Sequence, residues 1–149
     1  MIRSILRICL FVLGMNVVGI GVSMILLGPS ATGNFFAKII SWFFSDSQNL
    51  NGFSSTNIDS ELRFYAVFFV AYGAALLGTA TNLARYMKFV PLLAGLFLIG
   101  GIGRMLSFFL VGPPHILFSV LMAIELALPL LIIFLWQFAR ERDPAATVP

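Results

Sequence analysis

The chain alternates long apolar runs with short polar breaks, and that alternation predicts four membrane-crossing helices. The first run extends from about Ile5 to Leu27 and the second from about Leu62 to Thr81. The third extends from about Phe89 to Val111 and the fourth from about Ile116 to Phe138. Each holds about 20 residues, which as helix covers roughly 30 Å, the thickness of the hydrocarbon layer. Helix is required, because an open sheet would leave its edge N–H and C=O groups unpaired in lipid. The expected fold class is all-α: an integral membrane four-helix bundle forming a single domain over residues 1–149.

The breaks carry their own information. Gly112-Pro113-Pro114-His115 is so short that the third and fourth spans must be antiparallel neighbours. The only long break separates the first two spans. Its first half, about residues 34–45, is aromatic and too short to cross. It reads as an amphipathic helix in the outer interface, anchored by Trp42 and its phenylalanines. Its second half, Ser45 to Ser60, is polar and reads as an exposed loop that ends in a helix cap at Asp59 or Ser60.

Composition agrees with this pattern. Of 149 residues, 60% are hydrophobic and only 10% charged, against roughly 25% charged in a soluble domain. Mean hydropathy is +1.01. The net charge of +3 raises the question of nucleic acid, but the placement of the charges answers it. Lys and Arg flank the spans and form no basic stripe with interleaved aromatics. Arg3, Arg7, Arg85, Lys88, Arg140 and Arg142 fall on one side of an alternating four-span chain and Lys38 on the other, while Arg63 and Arg104 belong to spans. This split predicts cytoplasmic termini in an inner membrane. Arg3 and Arg7 before an apolar run also resemble a signal peptide. The run outlasts an h-region of roughly 7–15 residues, so it reads as a retained span, with Pro29-Ser30-Ala31-Thr32 compatible with cleavage. The single cysteine, Cys9, excludes an internal disulfide and a cysteine metal cluster, and reads as a small packing residue.

Two ionisable residues lie deep in the spans. Charges at membrane depth are costly and normally face a partner, a cavity or a pathway. Arg104 precedes the tight turn and Glu125 follows it, which sets both roughly 10–16 Å below the turn. Side chains lean toward their helix N-terminus, so the two heads converge in depth across antiparallel helices. Two readings stand: an ion pair that locks two helices, or a ligand or proton site. Pro129 removes the hydrogen bond to the Glu125 carbonyl, so a freed carbonyl and a carboxylate share one turn.

Other positions join this candidate ligand-binding set. Glu61 and Arg63 open the second span, and Glu61, Tyr65, Phe68 and Tyr72 share one face. If that face turns inward, Glu61 neutralises Arg104 from above; if it faces lipid, Tyr65 is an interfacial anchor. Asn16 shares a face with Gly19 and Ser23, and Gly100, Gly101 and Gly103 crowd the third span. These small residues are expected to let helices pack closely, with Asn16 bonding across helices. His115 reads as a cap or interface residue. The chain has no HExxH, GxSxG, Walker loop or paired-cysteine motif, so no catalytic residue, metal or cofactor is assigned.

Glu61-x-Arg63-Phe64-Tyr65, the glycine-rich third span ending in Gly103-Arg104-Met105-Leu106-Ser107, then Gly112-x-Pro114 and Glu125-Leu126, carry a resemblance. The chain resembles the small four-span bacterial membrane proteins of domain of unknown function 4345, themselves loosely similar to the DoxX-like four-helix proteins. The resemblance implies Glu61, Arg63, Arg104 and Glu125 as shared polar positions and supplies no activity. Three functions are compatible with it. The favoured one is a non-enzymatic protein whose buried polar site binds a small hydrophobic or cationic molecule or a lipid group, or that pairs with a membrane subunit or a second copy. The second is a proton-coupled transporter that titrates Glu125. The third is an intramembrane isomerase or redox accessory with Glu125 or Glu61 as acid–base.

Overall fold

The structure is a computed structural model that describes residues 1–44, 50 and 52–141, without the side chain of Glu141. Among the described residues six α-helices follow in order: α1 Ile2–Leu27, α2 Pro29–Phe44, α3 Thr56–Thr81, the single turn α4 Leu83–Tyr86, α5 Val90–Val111 and α6 Ile116–Glu141. A 3-10 turn, Met87–Phe89, leads into α5. The four spans expected from hydropathy are α1, α3, the α4–α5 segment and α6. In their most apolar windows only 22–28% of residues are buried inside the protein. Phe109, Leu110, Val111, Leu26 and Ile99 are among the many large apolar side chains facing outward. Such an apolar exterior calls for lipid, and the chain is a multi-pass membrane protein.

The helix bounds differ from the hydropathy bounds for a physical reason. Apolar content marks the part of a helix that meets lipid, whereas capping marks where it starts. α3 begins at Thr56, six residues before the expected Leu62, because Ser55 is the N-cap: its hydroxyl accepts from the Ile58 N–H at 3.3 Å. The cap is therefore not at Asp59 or Ser60; Asp59 sits in the first turn, where a carboxylate suits the helix dipole. α2 likewise begins at Pro29 rather than near Asn34, with proline as its first helical residue. Its expected end at Ser45, the polar stretch 45–49, Asn51 and Arg142 lie outside the described residues.

The spans form an incomplete ring. α1 lies antiparallel against α3 along its whole length: the Arg7 guanidinium bonds the Thr81 carbonyl at 3.0 Å, Gly14 meets Gly73, Gly21 meets Ala66, and Arg63 reaches the Ile25 carbonyl at 2.6 Å. α6 packs against α1 and α5, while α3 and α5 touch only sparingly. The aliphatic core sits toward the end that carries Arg3 and Arg140, built on Leu6, Leu10, Leu76, Val90 and Ile132. α2 packs against α1, α6 and α3. It turns Phe35, Trp42 and Phe43 outward, Trp42 to 80% exposure.

Glycine sets the close seam. A Cβ on Gly73 would lie 2.7 Å from Val18 Cγ2 and 2.9 Å from the Val18 backbone nitrogen, and one on Gly21 would lie 3.0 Å from the Ala66 carbonyl oxygen. The glycines expected to pack, Gly19, Gly100 and Gly103, instead have nothing within 4 Å of that position. Which glycines meet a neighbour depends on helix rotation, and α3 and α5 are apolar nearly all round, so hydropathy leaves their rotation open.

A buried ion pair beside an open cleft

Arg104 and Glu125 meet. The Arg104 Nε donates to Glu125 Oε2 at 2.7 Å, with Glu125's side chain 8% exposed and Arg104's 34%. The tight turn after Val111 makes α5 and α6 antiparallel, and Gly112 takes the sharp backbone bend at φ 118°. The His115 ring accepts the Leu117 N–H at 3.1 Å and so caps α6, as expected of a cap residue. Gly101 then lets the two helices close at the level of the carboxylate. A Cβ there would stand 2.9 Å from the Glu125 carbonyl carbon and 3.1 Å from its oxygen. The carbonyl freed by Pro129 therefore lies beside Gly101, where any side chain would crowd it. Arg104 also lies over the Phe118 ring at 5.6 Å, and Phe118 meets Phe53 edge-on at 5.7 Å. Phe118 was invisible as a site residue in the sequence; its only signal was its place one turn into α6, opposite Arg104 across the turn.

The pair borders a cavity of ≈ 500 Å³ in the gap between α3 and α5. Phe68, Phe69 and Tyr72 line it from α3. Leu96, Phe97, Gly100, Gly103, Arg104 and Ser107 line it from α5, and Glu125 from α6. Tyr72 spans the gap: its hydroxyl donates to the Leu93 carbonyl at 2.7 Å, and its ring stacks on Phe97 with 6.2 Å between centroids. Gly100 and Gly103 give the α5 wall an open floor, since side chains there would project into unoccupied space. The result is an aromatic, glycine-floored cleft with one polar corner.

Of the sequence-derived candidates, the structure brings Arg104, Glu125 and Tyr72 to this cleft. The face of α3 that begins with Glu61 turns toward the gap only in its lower half, at Phe68 and Tyr72; Glu61 and Tyr65 are exposed beyond it. Arg63 is engaged elsewhere. It bonds Asp59 through Nε at 2.7 Å and the last turn of α1 through the Ile25 carbonyl. This clamps the α1 and α3 ends beside Gly28, whose φ of 92° turns the chain into α2. Asn16 is exposed and donates to the Val12 carbonyl of its own helix at 2.8 Å rather than across to another.

Chemically, the pair is neutral as a whole and fixed in place. Its Nε–Oε2 bond uses one of the guanidinium's five donors. Among the described residues, no group of three or more His, Cys, Asp or Glu side chains is placed to hold a metal ion. The family model with the description Domain of unknown function (DUF4345) matches residues 5–136 of the chain. No curated protein and no solved structure matches it.

Proposed function

The chain belongs to the DUF4345 family, and from its buried ion pair we propose that it binds a small molecule or a lipid group in the cleft between α3 and α5. One observation carries the reading: a pair held at 2.7 Å is left one-third open, on its arginine side, to a cavity of ≈ 500 Å³. A pair that served only to lock α5 to α6 gains nothing from that opening, since a charge in a low-dielectric setting is best fully enclosed by partners. The apolar body of the ligand lies along Phe68, Phe69, Leu96 and Phe97. Its polar group accepts from the remaining Arg104 donors. A neutral acceptor suits the site, because it adds no net charge to a pair that is already balanced.

The test leaves the pair untouched. Gly103 lines the cleft, with nothing within 4 Å of where its Cβ would stand, so Gly103→Leu adds bulk to the cavity wall from an open position. Molecules carried through mild-detergent purification are identified by mass spectrometry for both proteins. The wild type retains a stoichiometric molecule and the variant, equally stable, loses it. Retention unchanged in the variant, or nothing retained by the wild type at any bilayer composition, sinks the proposal.

A further inference from the structure

The cleft is lined from α3, α5 and α6. α1 carries a different feature, an amide that faces outward at mid-membrane. Asn16 is the midpoint of the apolar run Ile5–Leu27, so as helix it lies about 16 Å from either end of that run. α1 turns Leu6, Leu10, Leu13, Gly14, Val17 and Gly21 into the bundle and leaves Asn16 exposed. From this placement we propose that the outward face of α1 is the contact between two copies of this chain in the membrane.

Asn16 donates to the Val12 carbonyl at 2.8 Å, the amide's one hydrogen bond among the described residues. A second N–H and the carbonyl oxygen remain. At this depth lipid offers only hydrocarbon, and no water is present to serve them. Whatever covers Asn16 therefore brings a donor and an acceptor to the centre of the bilayer, which a protein helix does and a lipid tail does not. A second copy meets that requirement by symmetry. Two copies inserted alike hold each residue at the same depth, so across a twofold axis along the membrane normal Asn16 faces Asn16. An amide complements itself, each N–H donating to the other's oxygen, whereas two like charges so placed would repel.

The neighbours of Asn16 suit such a contact. Ile5, Ile8, Val12 and Gly19 share its exposed side of α1, spaced by three or four residues. Lipid would cover the apolar side chains as well as a helix would, so Asn16 carries the proposal. Gly19, one turn further on, has nothing within 4 Å of its Cβ position, which gives a facing backbone room to approach.

The test is energy transfer between donor- and acceptor-labelled copies of the full chain in liposomes, followed as lipid is added. Asn16→Leu removes the amide from an exposed position. Gly78→Leu adds bulk to the exposed side of α3, where nothing lies within 4 Å. Wild-type transfer should exceed the level of random proximity. Asn16→Leu should need about ten times more protein per lipid to reach it, and Gly78→Leu should match the wild type. Wild-type transfer at the random level overturns the proposal and leaves a different protein helix over Asn16. Association by Asn16→Leu as strong as wild type, or an equal loss in Gly78→Leu, overturns it as well. Oxidative cross-linking fixes the face. With Cys9→Ala in both, Val12→Cys should link copy to copy, and Ile99→Cys, also exposed but on α5, should not. No link at Val12, or an equal link at Ile99, overturns the assignment to α1.

Discussion

The α1–α3 seam and the α3–α5 gap use the same residue to opposite ends. Along the seam, Gly14, Gly21 and Gly73 stand against backbone and side-chain atoms, so each missing Cβ is filled by the facing helix. Across the gap, Gly100 and Gly103 face nothing within 4 Å, and their missing side chains leave a cavity. A glycine stripe in a membrane helix therefore says that space has been made, and only the neighbouring helix says for what. Without a hydrophobic drive between helices in lipid, close approach through small residues is the main source of packing energy. The seam concentrates that energy in one helix pair. The gap gives it up, and Tyr72 reaches across it with a hydrogen bond to the Leu93 carbonyl and a stack on Phe97.

The largest effect should come from splitting the pair at the gap's corner. Arg104→Leu and Glu125→Leu each leave an uncompensated buried charge, which typically costs about 3–5 kcal/mol, whereas removing both is near neutral. Thermal unfolding in detergent should show two destabilised single variants and a double variant that recovers much of the loss. Strict additivity would show that the two residues do not act as one unit, despite their 2.7 Å bond.

Next in size is the seam. Gly73→Ala places a Cβ 2.9 Å from a backbone nitrogen, an overpacking that typically costs about 1–3 kcal/mol. Gly100→Ala adds the same methyl group in open space and should leave stability within about 0.5 kcal/mol of wild type. If both variants lose the same stability, the contrast between seam and gap fails.

The two regions were unequally legible in the sequence. Arg104 and Glu125 could be brought together in advance because the turn Gly112-Pro113-Pro114-His115 fixes two neighbours and their relative depth, and rise per residue does the rest. Four spans followed from hydropathy for the same reason: depth and length are one-dimensional quantities. Rotation is not. α3 presents Glu61, Tyr65, Phe68 and Tyr72 on one face, yet apolar residues surround that face, and nothing along the chain says how far it turns toward α5. So the cleft, the engagement of Arg63 with Ile25 rather than with a ligand site, and the outward aspect of Asn16 appear only once the helices are packed. The freed carbonyl of Glu125 was foreseeable from Pro129, but that it meets Gly101 depends on the rotation of α5.

The smallest effect isolates what holds the gap at a fixed width. Tyr72 makes two contacts with α5: a stack on Phe97 and a hydrogen bond to the Leu93 carbonyl. Tyr72→Phe removes only the second, since the ring and its stacking surface stay. Interhelical hydrogen bonds in membrane proteins are worth about 0.6 kcal/mol on average, so the unfolding temperature should hardly move. The width of the gap is a different matter. α3 and α5 touch sparingly elsewhere, so a distance between spin labels at Ala74 of α3 and Leu98 of α5 should broaden in the variant while the same measurement across the α1–α3 seam stays sharp. A broadened distribution with unchanged stability would show that the hydroxyl sets the cleft's shape rather than the protein's folding. Unchanged distributions would show instead that ring stacking alone fixes α3 against α5, and that the hydrogen bond to Leu93 is incidental to the cleft.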